Sequence, residues 1–154
     1  MGGPSNGGRS MIRGGLLHPE LLSALAAAGH GTKVLIADAL FPQDTAVRPG
    51  ARRVFLNLTP GTVSAREILR AVAVTVDLEA AVSMSDADGG DSPSVLEMRE
   101  DLADYRHGGG QEVALSSMER FAFYEATAAE DVSMVVVSGE TRPYSNLLLT
   151  IGVP

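Results

Sequence analysis

Three short apolar runs constrain this chain more than any other feature. Lys33 to Ala37 shows no polar and apolar alternation, so it reads as a strand buried on both faces, as in a parallel sheet. Val132 to Val137 and Leu147 to Ile151 are dense in Val, Leu or Ile and read as strands separated by the turn residues Gly139, Pro143 and Ser145. The link between them, Gly139 to Asn146, is too short for a helical crossover, which predicts that these last two strands pair antiparallel.

The remaining segments alternate helix and strand signals. His18-Pro19-Glu20 opens a helix, with proline where its missing N–H costs nothing, and Leu21, Leu22, Leu25 and Ala28 recur at helical spacing. Gly29 is expected as the left-handed cap, which makes His30 a turn residue. Phe41 to Gly50 reads as a loop and Val54 to Leu58 as a strand closed by the Pro60-Gly61 turn. Ser64 and Glu67 have capping-box spacing ahead of a helix from about Ala65, whose apolar face is Ile68, Leu69, Val72 and Ala73. Ala80 to Met84 is expected as a strand, Ser85 to Ser92 as an acidic loop, and Ser92-Pro93 as the start of a helix running through Tyr105. A short strand at Val113 to Leu115 then precedes Ser116 and Glu119, which repeat the capping-box spacing before a helix bearing Phe121, Tyr124 and Ala128. Strands alternating with helices of about ten residues predict an α/β domain with a mostly parallel sheet flanked by helices.

A chain of 154 residues with 45% hydrophobic content can bury one substantial core without metal or disulfide help, so a single domain is expected over residues 11 to 154. Met1 to Ser10, rich in Gly, Ser, Asn and Pro and lacking the apolar stretch of a secretory signal, is expected to be a disordered leader. The absence of cysteine excludes thiol catalysis and thiolate metal sites and suits a reducing compartment, the cytoplasm. No apolar run approaches the ~20 residues that cross a bilayer. A net charge of −7 argues against a nucleic-acid partner, and a neutral or weakly polar ligand fits better.

Few residues stand out chemically. His18 and His107 read as structural or solvated, one at a helix start and one beside the triple-glycine break. His30, between two glycines and next to a buried strand, is suited to general acid or base work near neutral pH, though a solvated turn histidine fits the pattern equally well. Asp38 ends its strand where open α/β sheets place their ligand crevice, and a loop-capping aspartate is the plainer reading. Arg120 lies in the first turn of a helix, where the dipole disfavours a cation, which points to a specific partner or a salt bridge. Tyr144 and Asn146, flanking Ser145, offer a phenol and a carboxamide for hydroxyl recognition, or make an ordinary turn. Asp86, Asp88 and Asp91 fail the calcium-loop pattern because Gly90 takes a ligand place. There is no Gly-rich nucleotide fingerprint, no P-loop, no nucleophile elbow and no zinc spacing of the histidines.

Taken in order, Leu17-His18-Pro19-Glu20-Leu21-Leu22, Gly29-His30-Gly31, Ala37-Asp38-Ala39 with Pro42, Arg120-Phe121-Ala122-Phe123-Tyr124-Glu125, Ser138-Gly139-Glu140 and Tyr144-Ser145-Asn146 resemble the ribose-pyranase and fucose-mutarotase family. The Gly-His-Gly turn and the block beginning at Arg120 are similar to its fucose-mutarotase branch, while Ser145 stands where that branch often has glycine. The resemblance implies the fold of that family and a cofactor-free and metal-free isomerase. It further implies a homo-oligomeric ring, often a decamer, with sites at subunit interfaces. On the same resemblance His30 is the proton donor, Asp38 and Arg120 hold hydroxyls of a monosaccharide, L-fucose foremost, and Tyr144, Ser145 and Asn146 complete the pocket. Pyranose to furanose interconversion of ribose is the alternative reaction, and a non-catalytic sugar-binding protein or a ring-forming interaction protein are the alternative classes.

One geometric expectation follows from the spacing itself. His30 and Asp38 bracket a strand, and at ~3.3 Å per residue its ends lie roughly 16 Å apart. Either the flanking turns fold back, or a site takes His30 from one chain and Asp38 from another.

Overall fold

The computed structural model describes residues 10 to 154. Of the leader expected over Met1 to Ser10, all but Ser10 lies outside the described residues. A six-stranded sheet organises the chain. Its central strand β1 (Lys33–Ala37) pairs in parallel with β7 (Val132–Val137) and antiparallel with β8 (Leu147–Ile151). Beyond β7 lies β2 (Arg52–Phe55), parallel to it, and beyond β8 lies β3 (Leu78–Met84), antiparallel to β8 and parallel to the edge strand β6 (Ala114–Met118). The order is therefore β2-β7-β1-β8-β3-β6, with β8 alone running against the other five. A small hairpin of β4 (Arg106–His107) and β5 (Gln111–Glu112) stands apart.

The continuous apolar runs conceal a two-residue period that serves two cores. From β1, Val34 and Ile36 enter one cluster and Leu35 and Ala37 the other; β7 divides Met134 and Val136 from Val135 and Val137 in the same way. The first face is covered by α1 (Pro19–Ala27), α3 (Ala65–Ala73) and α4 (Pro93–Asp104), through Leu21, Leu25, Ile68, Leu69, Met98 and Leu102. The second is covered by α2 (Gln43–Ala46) and α5 (Arg120–Thr127), through Ala46 and Phe123. This is the single α/β domain expected, with a mostly parallel sheet flanked by helices.

Several local expectations hold. His18 caps α1, its Nδ1 accepting from the Leu21 N–H at 3.2 Å. The Ser64 and Glu67 capping box closes in both directions, at 3.1 Å each. Others require correction. Gly31, with φ of 83°, takes the left-handed conformation assigned to Gly29. The Phe41 to Gly50 loop contains one helical turn, α2, and Arg53 holds this segment by donating to the carbonyls of Gln43, Val47, Arg48 and Ala51. The second strand runs over Arg52–Phe55, ending where its partner β7 ends, and Leu58 beyond it is exposed. The third strand begins at Leu78 rather than Ala80, and the fourth run extends to Met118. Ser116 therefore lies inside β6 and caps nothing; Glu119 is itself the cap of α5, its Oε1 accepting from the Ala122 N–H at 2.8 Å. The last two strands do run in opposite directions but do not pair, because β1 lies between them.

Two helices on the first face are tied by a buried charge. Asp101 on α4 accepts from both Arg66 and Arg70 on α3, each through Nε and Nη2 at 2.9 to 3.1 Å. Burial pushes the Asp101 carboxyl up, but the two guanidinium groups outweigh it and leave it below the ordinary value of 3.8. An acid held lower in the folded than in the unfolded chain stabilises above its ordinary value and loses that stability as pH falls through the depressed one. Asp101→Asn is expected to lower the unfolding free energy by about 2 kcal/mol at neutral pH. In urea titrations the difference between the two proteins should persist down to about pH 5, start to shrink near 3.8 and vanish as the pH falls through the depressed value.

Candidate active site

Because β8 runs against its neighbours, its amino end meets the carboxyl ends of β1 and β3 at one edge of the sheet. An open cleft of about 210 Å³ lies there, lined by Asp38, Leu40, Phe41, Met84, Arg120, Tyr124, Pro143, Tyr144 and Asn146. Open α/β sheets bind ligands at this edge.

Asp38, 2% exposed, joins the two loops that form the cleft. Its Oδ1 accepts from the Leu40 N–H at 2.9 Å and its Oδ2 from the Ser145 N–H at 3.1 Å. In return the Asp38 N–H donates to Asn146 Oδ1 at 2.8 Å. Burial holds the Asp38 carboxyl above its ordinary 3.8, against the backbone N–H bonds from Ser145 and Leu40, which pull the other way. Ser145 thus meets Asp38 through its backbone. Asn146 is 3% exposed, and among the described residues its Nδ2 faces only the Met84 sulfur, 3.9 Å away. Sulfur is a weak acceptor, so this amide retains donor capacity toward the cleft.

The Tyr144 backbone is left-handed, with φ of 56°, a conformation that costs a non-glycine residue about 1–2 kcal/mol. Its surroundings over-determine it. Ser92, the N-cap of α4, accepts from the Val95 N–H and donates from the same hydroxyl to the Tyr144 carbonyl at 2.9 Å. Arg142 braces the same loop, bonding Glu140 through Nε at 2.7 Å and Glu97 of α4 through Nη1 at 2.9 Å. Bonds to Glu140 and then to Glu97 hold the Arg142 proton more firmly than usual. Gly139 starts this loop because a Cβ there would collide with the Thr59 and Thr62 carbonyls.

Arg120 projects from the first turn of α5, and its partner is aromatic rather than acidic. Its Nε donates to the Tyr124 hydroxyl at 3.1 Å, and its guanidinium carbon lies 5.5 Å from the ring centroids of both Phe121 and Tyr124. Phe41 packs edge-on against Tyr124 at 5.5 Å, so the cleft has one aromatic wall. Tyr124, Phe41, Leu40, Met84 and Pro143 were not singled out as site residues. The spacing of four between Arg120 and Tyr124 on one helix is the signal that would have found Tyr124.

Asp38, Arg120, Tyr144, Ser145 and Asn146 thus come together, and His30 does not. It sits at the opposite edge of the sheet, in a turn closed by the Thr32 N–H and hydroxyl on the Gly29 carbonyl, with its Nε2 3.1 Å from Glu79 Oε2. The turns do not fold back to bring it to Asp38 within one chain. Among the described residues no group of three or more His, Cys, Asp or Glu side chains is placed to hold a metal, and no helix is long and apolar enough to cross a membrane.

A sequence model of the RbsD / FucU transport protein family matches residues 11 to 154. The chain belongs to this family. The D-ribose pyranase of Paracidovorax citrulli is 33% identical over 146 residues, covering 93% of this chain and 98% of its own. The fucose mutarotase of Homo sapiens is 33% identical over 147 residues, covering 90% of each chain. In fold, the chain matches Bacillus subtilis RbsD complexed with D-ribose with a TM-score of 0.77 at 24% identity, over 94% of this chain and 99% of that one. Relatives of both names stand at equal identity, so overall similarity does not separate the two sugars.

The bonds that Asp38 exchanges with Ser145 and Asn146 make the site part of the fold's stability. Asn146→Ala would orphan the buried Asp38 N–H and is expected to lower the unfolding free energy by about 1–3 kcal/mol in urea titration. Asn146→Asp is expected to cost more at neutral pH than at pH 4, because it places a second carboxyl beside a buried one.

Proposed function

We propose that this protein is a cofactor-free sugar isomerase that interconverts the α and β anomers of a monosaccharide, L-fucose foremost, by acid–base ring opening. The reading is carried by one observation, a cleft at the carboxyl edge that gathers a buried carboxylate, an arginine, a tyrosine and a carboxamide with spare donor capacity, in a chain of a family whose relatives are named mutarotases and pyranases. Mutarotation needs a proton delivered to the ring oxygen and another taken from the anomeric hydroxyl. The ring bond then breaks as the anomeric carbonyl forms, the carbonyl turns, and the reverse transfers close the ring on its other face. Imidazole can act as both general acid and general base, which is the role proposed for His30. Asp38, Arg120, Tyr144, Ser145 and Asn146 orient the hydroxyls, and Arg120 offsets negative charge that develops during opening. The apolar wall of Phe41, Met84 and Tyr124 suits a sugar with a methyl group, which favours fucose over ribose.

His30 lies at the far edge from this cleft, so the reading includes a homo-oligomer, a ring such as a decamer, in which His30 of one subunit completes the cleft of another. The cytoplasm is its proposed location. NMR magnetisation exchange between anomers, run with fucose and with ribose, tests the activity: catalysed exchange is expected to be faster with fucose, and to fall about 10²-fold or more in His30→Ala. Mixing His30→Ala with Asp38→Asn and reassembling them tests the shared site. If His30 and Asp38 come from different chains, about a quarter of the sites regain both groups by random assembly, and activity returns to about that fraction. If both groups serve a site within one chain, the mixture stays as inactive as either variant.

A further inference from the structure

The loop that enters β8 is fastened to the sheet near its two ends. The Ala39 N–H donates to the Glu140 carbonyl at 2.7 Å, and the Ser145 N–H donates to Asp38 Oδ2 at 3.1 Å. Between these points the backbone of Thr141, Arg142, Pro143 and Tyr144 makes no bond to another backbone group among the described residues. This stretch nevertheless supplies Pro143 and Tyr144 to the cleft, so side chains have to hold it. They come largely from α4. Ser92 donates to the Tyr144 carbonyl at 2.9 Å, and Glu97, further along the same helix, accepts from Arg142 on both oxygens, Oε1 from Nη1 at 2.9 Å and Oε2 from Nη2 at 3.2 Å. The other edge of the guanidinium meets Glu140, Nε donating to Oε1 at 2.7 Å and Nη2 to Oε2 at 3.3 Å. One planar group thus spans two carboxylates, with a fork that a lysine cannot reproduce. The Glu140 side chain is 6% exposed and the Glu97 side chain 37%, so the inner pair is buried and the outer one is open to alteration. The bond from Arg142 holds the Glu97 carboxyl below its ordinary 4.5, which keeps the pair charged at neutral pH.

We infer that Arg142 and Glu97 are positioning residues for the sugar site: by tying the loop to α4 they set where Pro143 and Tyr144 stand, and so how tightly the cleft holds a sugar. This inference rests on the isomerase reading above. Neither side chain lines the cleft, so both act through the residues that do. Asp38 and Arg120, which that reading places at the ring-opening step, come from the end of β1 and from α5, outside the braced stretch. A loosened Tyr144 therefore weakens contacts made alike to the bound sugar and to the opening ring. Loss of such uniform binding raises KM and leaves kcat in place. A half-exposed ion pair contributes modestly, so the change is a few-fold rather than a loss of function.

Anomer exchange measured by NMR over a range of fucose concentrations tests this. Glu97→Met keeps the side-chain length and removes the acceptor while leaving Arg142 on Glu140. It is expected to raise KM about threefold to fivefold with kcat within about twofold. Arg142→Met is expected to raise KM at least as much, and adding Glu97→Met to it should raise KM no further, because the two act as a unit. If Arg142→Met, which strips the buried Glu140 of its partner, fails to fold, Glu97→Met decides alone. An unchanged KM in Glu97→Met, or a fall in kcat at unchanged KM, would overturn the role of the brace and leave the functional reading standing. A further rise of KM in the double variant would mean that the two residues act separately, and would overturn the inference as well. Absence of catalysed exchange in the wild-type protein would instead overturn the functional reading. The dissociation constant for fucose from NMR titration then takes the place of KM, and a Glu97→Met protein that binds as tightly as wild type, or a wild-type protein that does not bind, would overturn the inference too.

Discussion

The architecture depends on the direction of β8. Five strands share one sense, and the sixth is inserted against them between β1 and β3. In an all-parallel sheet the carboxyl edge gathers only the loops that leave strands. Here it also receives the loop that enters β8, so Asp38 at the end of β1 stands directly beside Ser145 and Asn146 at the start of β8. The reciprocal bonds between these segments close the edge, and they do so with groups to which the proposed reading also gives ligand recognition. A left-handed backbone at Tyr144 is the local cost of turning into β8 within a few residues, and Ser92 and Arg142 hold it in place from α4.

The same arrangement separates His30 from the cleft. The turn before β1 and the residues after β1 lie at opposite edges of the sheet, and no rotamer spans a five-residue strand. Loop 139–146 cannot swing to His30, because Asp38, Arg142 and the bonds of Gly139 and Ser92 fasten it at several points. A chemical partnership between the two edges therefore has to come from the packing of separate chains, which makes assembly a condition of activity on the proposed reading.

What could be read from the sequence divides along physical lines. The Ser64 and Glu67 box and the His18 cap were legible because their partners lie within four residues. The three apolar strands were legible because burial on both faces leaves a single polar position in each, Lys33, Ser133 and Thr150. Strand order was not, since the insertion of β1 between β7 and β8 depends on contacts about a hundred residues apart, and a short link shows direction without adjacency. Ser116 matched a capping box by spacing alone, and pairing of β6 with β3 overrode it. Gly29 and Gly31 are both competent for a left-handed cap, and the bond from the Gly31 N–H to Ile151 decides between them. In the site, Asp38, Tyr144 and Asn146 were found because strand ends are where such edges form. Met84 and Tyr124 were missed because apolar and aromatic residues on regular elements look like core until the loops around them are placed.

Geometry also bears on which group accepts the anomeric proton. Each oxygen of Asp38 already accepts one backbone N–H, which leaves about two of its four lone-pair sites for hydroxyls. Those N–H bonds weaken a carboxylate as a base, yet burial outweighs them and raises its proton affinity above that of an ordinary aspartate. A base operating near neutral pH gains from that shift, because proton transfer improves as its value approaches the working pH. On the proposed reading the anomeric proton goes to Asp38 or to an activated water, while Arg120 beside the same cleft stays charged and limits the negative charge that forms at the opening ring.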